Sequence, residues 1–389
     1  MYSLRASPRF HNSVRNGRTH VFPTGRAGLS HERTESTVRI VIASDFIGAL
    51  SSRRAGEVIA SGWLPGAEVS VLPIGDAGAG FAAAYAELAG FTTSSREAHG
   101  VIVTTGRGSD TGVVQVLGPK GGQGIPYEQS SRAIGDAIAD SLRNGPLRRL
   151  IVDLAGLWVH DAGAGLLAAL GATADRPLDR GVAGLDGLGQ LDLAPVRSLL
   201  GETELVGVVP AAQLSQPLLG LRGITSLTGR EADADPELML RTDAALEAFS
   251  RQASPPHAAA PGAGACGGLG FAVLALGGQL STGPALTLAS VAGQQALRGA
   301  DLVVTGCSIF DFASRGGGVV AAMAEAAAAA LAPCIVIAGE VLIGSREMRT
   351  MGIEAAYAVH ESLVDHAQPA ISEEELTATA RRVARSWSW

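Results

Sequence analysis

The sequence has almost no lysine. Lys120 is the only one among 30 basic residues, so all the others are arginine. Any chemical step that needs a lysine must therefore use Lys120 or proceed without one. This scarcity limits the ways in which the chain could neutralise a negatively charged ligand.

Cysteine is also scarce. Cys266, Cys307 and Cys334 lie far apart and form neither a metal-binding spacing nor a disulfide framework. This usage is typical of a reducing compartment, so we expect a cytoplasmic protein. Glu325 and Pro333 interrupt the apolar run from 319 to 338, which predicts no membrane-spanning segment and no membrane partner.

What the chain has instead is a large apolar fraction. Hydrophobic residues make up 47% of its 389 residues, which is enough for two domains of ordinary size, each with its own core. The formal net charge is −7, and a negative chain is a poor partner for a phosphate backbone. We therefore expect no nucleic acid partner.

The first 37 residues differ from the rest. Arginines are scattered there among Ser, Thr, Asn, His and Gly without apolar periodicity, which predicts a disordered basic arm over 1–37. The arm lacks the apolar core of a secretory signal. It is either a basic targeting segment or the product of a start codon placed too far upstream, and the second explanation is favoured.

From Val38 onward, apolar runs alternate with helical segments. Strands are predicted at 38–43, 68–74, 101–104, 112–117, 148–153, 204–210, 301–306 and 334–340. Helices are predicted near 51–62, 129–143, 162–172, 236–251, 284–297, 317–331 and 372–385, with a Pro/Ala linker at 254–263. The alternation predicts an α/β fold with a doubly wound, mostly parallel sheet.

Acidic residues follow several of these strands. Asp45, Asp76, Asp161 and Asp311 each lie in or beside a glycine-rich loop. In doubly wound folds, ligands bind at the carboxyl ends of the strands. The four carboxylates are therefore candidates to hold Mg²⁺ or to act as a base.

Seven stretches occur in one order along the chain. They are IASDFIGALSS (42–52), DAGAGF (76–81), AGLWVHDAGAG (155–165), QLSQPLLGLRGI (213–224), TGREADA (228–234), PGAGACGGLG (261–270) and ADLVVTGCSIFDFAS (300–314). Together they resemble the motifs of the bacterial glycerate kinase family (the glycerate 2-kinase type), of which this chain looks like a divergent member. The resemblance covers nearly all of residues 38–365.

The resemblance implies an architecture and a reaction. It implies a doubly wound domain formed by 38–75 and 290–365, an inserted second α/β domain at 76–289, a C-terminal helix within 366–389, and an active-site cleft between the two domains. It also implies ATP-dependent phosphorylation of glycerate or a similar hydroxy acid, with ATP and Mg²⁺ as ligands. The oligomeric state is left open, with a homodimer as one option.

The same resemblance assigns roles to individual residues. The expected catalytic residues are Asp45, Asp76, Asp161 and Asp311, and the expected metal ligands are Asp161 and Asp311. The expected nucleotide- or phosphate-binding residues are Gly78, Gly80, Gly264, Gly267 and Gly268. His160 and Arg222 are expected to contact the substrate.

The departures from the family pattern fall on its polar residues. The lysine of the first loop is replaced by Ile47, and other charged positions by Ala79, Ala232, Cys307 and Gly318. The family's Ser-Ala-Thr-Asn run corresponds here to Leu157, Trp158, Val159 and His160. Its Asp and Asn before PLLG correspond to Gln213 and Gln216. The arginines near the motifs, Arg53, Arg222 and Arg315, stand at none of the family's catalytic positions.

Three functions stay open on the sequence alone. The chain is an active kinase, a catalytically impaired relative that binds or regulates, or an unrelated dinucleotide enzyme suggested by the glycine pattern at 262–270. The last is disfavoured because that pattern follows a linker and not a strand. His160 is either a general base or a replacement for a lost substrate ligand, and Cys307 is better read as an inert buried thiol.

Overall fold

The computed structural model describes residues 37–119, 121–360 and 370–387. Lys120 and the predicted arm, apart from Thr37, lie outside the described residues. None of the helices in the described part of the chain combines the length and the hydropathy that a membrane crossing requires.

Thirteen strands are found in the described residues. They are β1 (Arg39–Ser44), β2 (Glu68–Val71), β3 (Thr93–Ala98), β4 (Val101–Arg107), β5 (Thr111–Leu117), β6 (Arg149–Asp153), β7 (Thr173–Ala174), β8 (Leu191–Asp192), β9 (Glu204–Val208), β10 (Gln279–Ser281), β11 (Leu302–Asp311), β12 (Cys334–Leu342) and β13 (Ile353–Ala358).

The helices of the same residues surround these strands. They are α1 (Ser52–Ala60), α2 (Phe81–Ala89), α3 (Arg132–Arg143), α4 (Ala164–Ala169), α5 (Ala194–Leu200), α6 (Ile224–Glu231), α7 (Pro236–Ala253), α8 (Pro255–Ala258), α9 (Ala265–Ala275), α10 (Gly283–Ala289), α11 (Val291–Leu297), α12 (Gly317–Ala329), α13 (Ser345–Thr350) and α14 (Glu373–Ser386). Short 3₁₀ turns occur at Gly181–Leu185 and Ala211–Gln213.

The first sheet joins the two ends of the described chain. Its order is β13-β12-β11-β1-β2, and every neighbouring pair is parallel. The strands predicted at 38–43, 301–306 and 334–340 all lie in this sheet, with Ile40 opposite Leu302. The strand order reverses between β1 and β11, and the crevice at such a switch point is where doubly wound sheets bind ligands.

The second sheet is mixed. Its order is β10-β9-β6-β5-β4-β3, with parallel pairing from β10 to β5 and antiparallel pairing from β5 to β3. The strand β3 was not predicted, because its sequence TSSREA is polar and the strand lies largely exposed at the sheet edge. β7 and β8 form a separate antiparallel ribbon. The predicted class, an α/β fold with a doubly wound, mostly parallel sheet and a second α/β domain, is confirmed.

Helices cover both faces of the first sheet. One face packs on α12, and the other packs on α1 and α14, which also contact each other. α10 contacts both α2 and α12. The strands of the first sheet come from 39–71 and 302–358 and those of the second from 93–281, while the domain boundaries at 75 and 290 stay predictions.

Two predicted segments differ in detail. The helix expected at 284–297 is broken at Ser290, whose extended backbone ends α10 and whose hydroxyl accepts a hydrogen bond from the Gly293 N–H at the start of α11. The linker expected at 254–263 contains the short helix α8. A serine that caps a new helix competes with continuation of the previous one, which the apolar pattern alone could not reveal.

Candidate functional site

The loop after β1 is held against β11. The Asp45 N–H donates to the Gly306 carbonyl at 2.9 Å, and the Gly48 N–H donates to the Ser308 hydroxyl at 3.0 Å. Ile47 is fully buried among the apolar side chains between the sheet and α14, whereas Phe46 is 43% exposed. The side chain at position 47 therefore points into the core and not into the crevice.

Carboxylates gather where the two sheets end. Asp45 follows β1 and Asp76 follows β2, and the negative charge of Asp76 acts on both Asp45 and Asp153. Asp153 is the last residue of β6 in the second sheet and is fully buried. Asp153 was not among the predicted site residues, although an aspartate at the end of a predicted strand was the signal that could have found it.

The segment 76–78 connects the two sheets. The Asp76 carboxylate accepts hydrogen bonds from the Ala77 N–H at 2.8 Å and from the Gly318 N–H at 3.0 Å, at the start of α12. The Gly78 N–H donates to Asp153 at 2.9 Å, and the Gly78 carbonyl accepts from the Gln115 amide. One short loop thus contacts both the start of α12, which packs on the first sheet, and the end of β6 in the second sheet.

Gly318 is required by this contact. A Cβ atom placed at Gly318 would lie 2.4 Å from Oδ2 of Asp76, closer than real Cβ contacts come. The carboxylate of Asp76 sits where the positive end of the α12 dipole favours a negative charge. Gly318, which replaces a lysine of the family pattern, therefore makes room for Asp76.

Burial raises the pKa of these carboxyl groups. Desolvation, reinforced by the charge of Asp76, raises the pKa of Asp45 to about 6 and that of Asp153 to about 6. Burial also raises the pKa of Asp76 itself. A nearby cation would lower these pKa values. No cation is among the described groups that shift them, so little positive charge offsets the negative charge of the cluster.

Asp311 stands apart from this pattern. It ends β11, and its carboxylate accepts hydrogen bonds from the Ser314 N–H at 2.6 Å and the Ser314 hydroxyl at 2.7 Å. These bonds lower its pKa. Its charge acts on Cys307, whose thiol pKa is raised to about 12 by burial together with the charges of Asp45 and Asp311. Cys307 is therefore an unreactive thiol at neutral pH.

Asp161 does not reach the crevice. It is 0% exposed, and its two oxygens accept hydrogen bonds from the Ser131 N–H, the Ser131 hydroxyl, the Gly163 N–H and the Gly165 N–H at 2.9 to 3.1 Å. Four donors use the acceptor capacity of a carboxylate. Asp161 thereby anchors the loop before α4 to the start of α3, and the roles predicted for it, as a catalytic residue and a metal ligand, stay predictions.

The expected metal pair does not fit Mg²⁺. Asp161 has no free oxygen, and no group of three or more His, Cys, Asp or Glu in the described residues is arranged to hold a metal ion. Mg²⁺ needs carboxylates with open oxygens, completed by water and phosphate. No step is derived through a metal held by Asp161 and Asp311.

A small cavity lies in the second domain, and its lining includes Ala155, which follows Asp153 by two residues. Its volume is about 320 Å³, and it lies between the loop at 155–160, the 264–267 loop, Gln213, Gln216 and α6. His160 lines it, is 2% exposed, and shares a hydrogen bond of 3.1 Å between its Nε2 and the Thr225 hydroxyl. Burial lowers the pKa of His160 to about 4, so this imidazole is neutral at physiological pH.

The glycines of the 262–268 loop serve close backbone packing. A Cβ at Gly264 would lie 2.2 Å from the Pro217 carbonyl oxygen, one at Gly267 would lie 1.8 Å from that of Val159, and one at Gly268 would meet Ala162. Cys266, Gly267 and Gly268 share left-handed backbone at the start of α9. Close packing alone therefore explains why these positions are glycine, while the phosphate-binding role predicted for Gly264, Gly267 and Gly268 stays a prediction.

Gly78 and Gly80 are different. Both have positive φ, of 107° and 91°, and a Cβ at either would meet nothing within 4 Å. Gly80 stands at the start of α2. An open glycine turn at a helix N-terminus is a suitable place for a phosphate, and the role predicted for these two residues stays a prediction.

Arg222 is exposed and does not line the small cavity. Its carbonyl accepts a hydrogen bond of 2.8 Å from the Gln216 amide, so its backbone holds Gln216 in place. The structure therefore does not bring the Arg222 guanidinium together with His160, and the predicted substrate contact is not supported.

Comparison with known proteins decides the family. The sequence model described as Glycerate kinase family matches residues 40–388. The chain belongs to the glycerate kinase family. The family predicted from the motifs is confirmed. The hypothesis of an unrelated dinucleotide enzyme loses its support.

Relatives of the glycerate kinase family cover most of the chain. An uncharacterised protein from Mycobacterium bovis is 31% identical over 346 residues, 83% of this chain and 84% of its own length. The glycerate kinase of Bacillus cereus is 27% identical over 378 residues, 90% of this chain and 98% of its own. A crystal structure from Salmonella typhimurium LT2, provisionally named glycerate kinase 2, superposes with a TM-score of 0.73 at 25% identity and covers 90% of this chain and 98% of that one.

This glycerate kinase family member carries a large side chain, Trp158, where the family pattern has a small one. Trp158 lines both the small cavity and a neighbouring cavity of about 860 Å³. Cβ atoms at Gly121 and Gly122 would lie 2.9 and 2.8 Å from the indole, so the ring rests on these glycines. Trp158 is therefore part of the wall that separates the two cavities.

Replacement of Asp45 by asparagine should change how stability depends on pH. Because the folded-state pKa is raised to about 6, the native state binds more protons than the unfolded chain between pH ~4 and ~6, and the contribution of Asp45 to stability falls as pH rises through that window. Asp45→Asn, which keeps an acceptor for the Phe46 N–H, should match wild type at pH 4 and exceed its free energy of unfolding by roughly 2 kcal/mol at pH 7.5.

Urea unfolding at the two pH values measures this effect. Asp311→Asn is the matched control, because the pKa of Asp311 is lowered and its loss should reduce stability at pH 7.5. An Asp45→Asn protein that is less stable than wild type at pH 7.5 would contradict the electrostatic account of the crevice.

Proposed function

We propose that the protein transfers a phosphoryl group from ATP to a hydroxyl group of a small metabolite, with glycerate as the substrate that family membership favours. The observation that carries this proposal is the loop 76–78. It joins the start of α12 to Asp153, next to the small cavity, and so links the crevice of the first sheet to a ligand-sized space in the second. Phosphoryl transfer needs such a junction between two ligands.

In this proposal the nucleotide phosphates approach the open turn at Gly78 and Gly80. The N-terminus of α2 would face them with backbone N–H groups and a favourable dipole. The acceptor occupies the small cavity. Asp153 acts electrostatically on cavity-lining Cys266, but its carboxylate is fully buried and accepts hydrogen bonds from the Gly78 N–H, the Ala155 N–H and the Gln115 amide, so we assign it to positioning the 76–78 loop and not to proton transfer.

The proposed reaction should be slow. The family's first-loop lysine corresponds to Ile47, which is buried in the core, and the other lost charges correspond to Ala79, Cys307 and Gly318. Removal of one preorganised donor commonly costs about 10²–10³ in rate. Losses within one site are not additive, so no total follows from the count.

A coupled ATP and D-glycerate assay in magnesium buffer tests the proposal. We expect turnover that is detectable with concentrated enzyme and at least ~100-fold below the median enzyme value of about 10 s⁻¹. Calorimetry with Mg·ATP should show binding. A chain that binds no nucleotide would refute the proposed reaction.

The charge of the crevice motivates a second candidate function. Three carboxyl groups there, those of Asp45, Asp76 and Asp153, have pKa values raised by burial, and a triphosphate without Mg²⁺ would add further negative charge. The second candidate is a protein that keeps the cavity for binding or regulation without phosphoryl transfer. Ligand binding to the small cavity without Mg·ATP affinity would support this second function over the first.

A further inference from the structure

We propose that the small cavity takes an uncharged polyhydroxy compound, of the polyol or short-sugar class, in preference to a carboxylate such as glycerate. This inference rests on the proposed function in treating that cavity as the acceptor site. It is carried by the side chains that line the cavity, by the orientation of two glutamine amides, and by the charge that lies next to it.

The polar side chains of the lining are neutral. They are His160, Gln213, Gln216, Thr228 and Cys266, and the rest of the described lining is apolar side chain, proline and glycine. His160 carries no charge at neutral pH, and the Cys266 thiol keeps its proton. Hydroxyl groups can leave water for such partners at moderate cost, whereas a carboxylate placed among neutral groups loses far more hydration than it regains.

Two glutamines present complementary hydrogen-bonding groups. The Cys266 N–H donates to Oε1 of Gln213 at 2.8 Å, which fixes that amide and leaves its nitrogen to donate. Nε2 of Gln216 donates to the Arg222 carbonyl at 2.8 Å, which leaves its oxygen to accept. A hydroxyl group both donates and accepts and so can pair with either free amide group, whereas a carboxylate only accepts and can pair only with the Gln213 nitrogen.

Within the described residues, the charge that acts on the cavity-lining thiol is negative. Asp153 is the charged group that acts on Cys266, and Cys266 lines the cavity. Above pH ~6 the carboxylate of Asp153 is ionised and repels a second anion in its vicinity. An uncharged ligand escapes this repulsion.

The apolar side of the cavity also suits such a ligand. Trp158 presents its indole next to Leu157 and Val159, and the three residues close the cavity toward its larger neighbour. The C–H groups of a short polyol can pack on this wall while its hydroxyl groups meet the amides. The wall limits the ligand to a small one.

Calorimetry on the purified chain at pH 7.5 and low salt compares matched pairs: glycerol with D-glycerate, and erythritol with erythronate. We expect each polyol to bind at least about 10-fold more tightly than the acid of equal carbon number. Equal or tighter binding of either acid overturns the inference, as does the failure of both polyols to bind.

A cation introduced at the cavity should reverse the preference. Leu227 lines the cavity and is 43% exposed, so Leu227→Lys adds a charge there without burying it. We expect this variant to bind the acids several-fold more tightly, with a gain that shrinks as salt is added. Leu240→Lys is the control, because Leu240 is 73% exposed and lies outside the cavity.

Unchanged acid affinity in Leu227→Lys would show that charge does not decide selection there and would overturn the inference. The same panel separates this inference from the proposed function. Polyol binding without phosphorylation in the presence of Mg·ATP removes the proposed reaction and leaves the inference. Preferential phosphorylation of glycerate would support the proposed reaction and overturn the inferred preference for polyols.

Discussion

Replacement of Ile47 by lysine is expected to destabilise the fold and to leave phosphoryl transfer unrestored. Ile47 is 0% exposed and packs among the apolar residues that join β1, α1 and α14. A lysine at this position must bury its ammonium group, lose its proton, or force the loop open. We expect the free energy of unfolding to fall on the order of 4 kcal/mol.

Phe46→Lys is the matched control for this experiment. Phe46 is the preceding residue and is 43% exposed, so a lysine there can keep its charge in water. Urea unfolding should find Phe46→Lys within about 1 kcal/mol of wild type. A stable Ile47→Lys protein with restored glycerate turnover would mean that position 47 faces the crevice after all.

The strands of the first sheet could be predicted from the sequence because parallel strands are buried on both faces. The apolar run VRIVIA has this character, and β1 coincides with it to within one residue. The strands β11 and β12 likewise begin at the apolar runs that predicted them. The polar edge strand β3 and the break at Ser290 could not be predicted in the same way. Edge position and capping depend on tertiary neighbours that an apolar pattern does not record.

The candidate site was harder to predict for a related reason. A motif locates a carboxylate on a loop but does not tell whether its oxygens face a ligand or backbone N–H groups. Asp161 and Asp76 lie in similar glycine-rich loops, yet Asp161 is enclosed by four donors while Asp76 lies in the crevice. Asp153 belonged to no motif; its position at a strand end was the only sequence signal, and its contact with the 76–78 loop became visible only in the fold.

The glycines illustrate the same limit. A phosphate loop and a backbone crossing both require glycine, because each needs the space that a Cβ would fill. Gly267 lies against the Val159 carbonyl, whereas Gly78 faces open space. The sequence predicted that these positions matter and could not say which of the two reasons applies.

Replacement of Asp161 by asparagine should act on stability, and any loss of activity should follow from that. All four partners of the Asp161 carboxylate donate hydrogen bonds, and three of them are backbone N–H groups. An asparagine amide would turn an NH₂ group toward these donors. At least one buried donor would then lose its acceptor, at a cost of about 1–3 kcal/mol for each.

We therefore expect Asp161→Asn to lower the free energy of unfolding by roughly 3 kcal/mol. Asp311→Asn is the control, because its Ser314 contacts are solvent-exposed and its removal should cost within about 1 kcal/mol. Urea unfolding and calorimetry for nucleotide and acceptor binding should be measured on both variants. If Asp161→Asn kept wild-type stability and ligand affinity but lost turnover, Asp161 would be a catalytic residue. If it unfolded more readily and turned over in proportion to its folded fraction, the anchoring role inferred from its four hydrogen bonds would account for the effect.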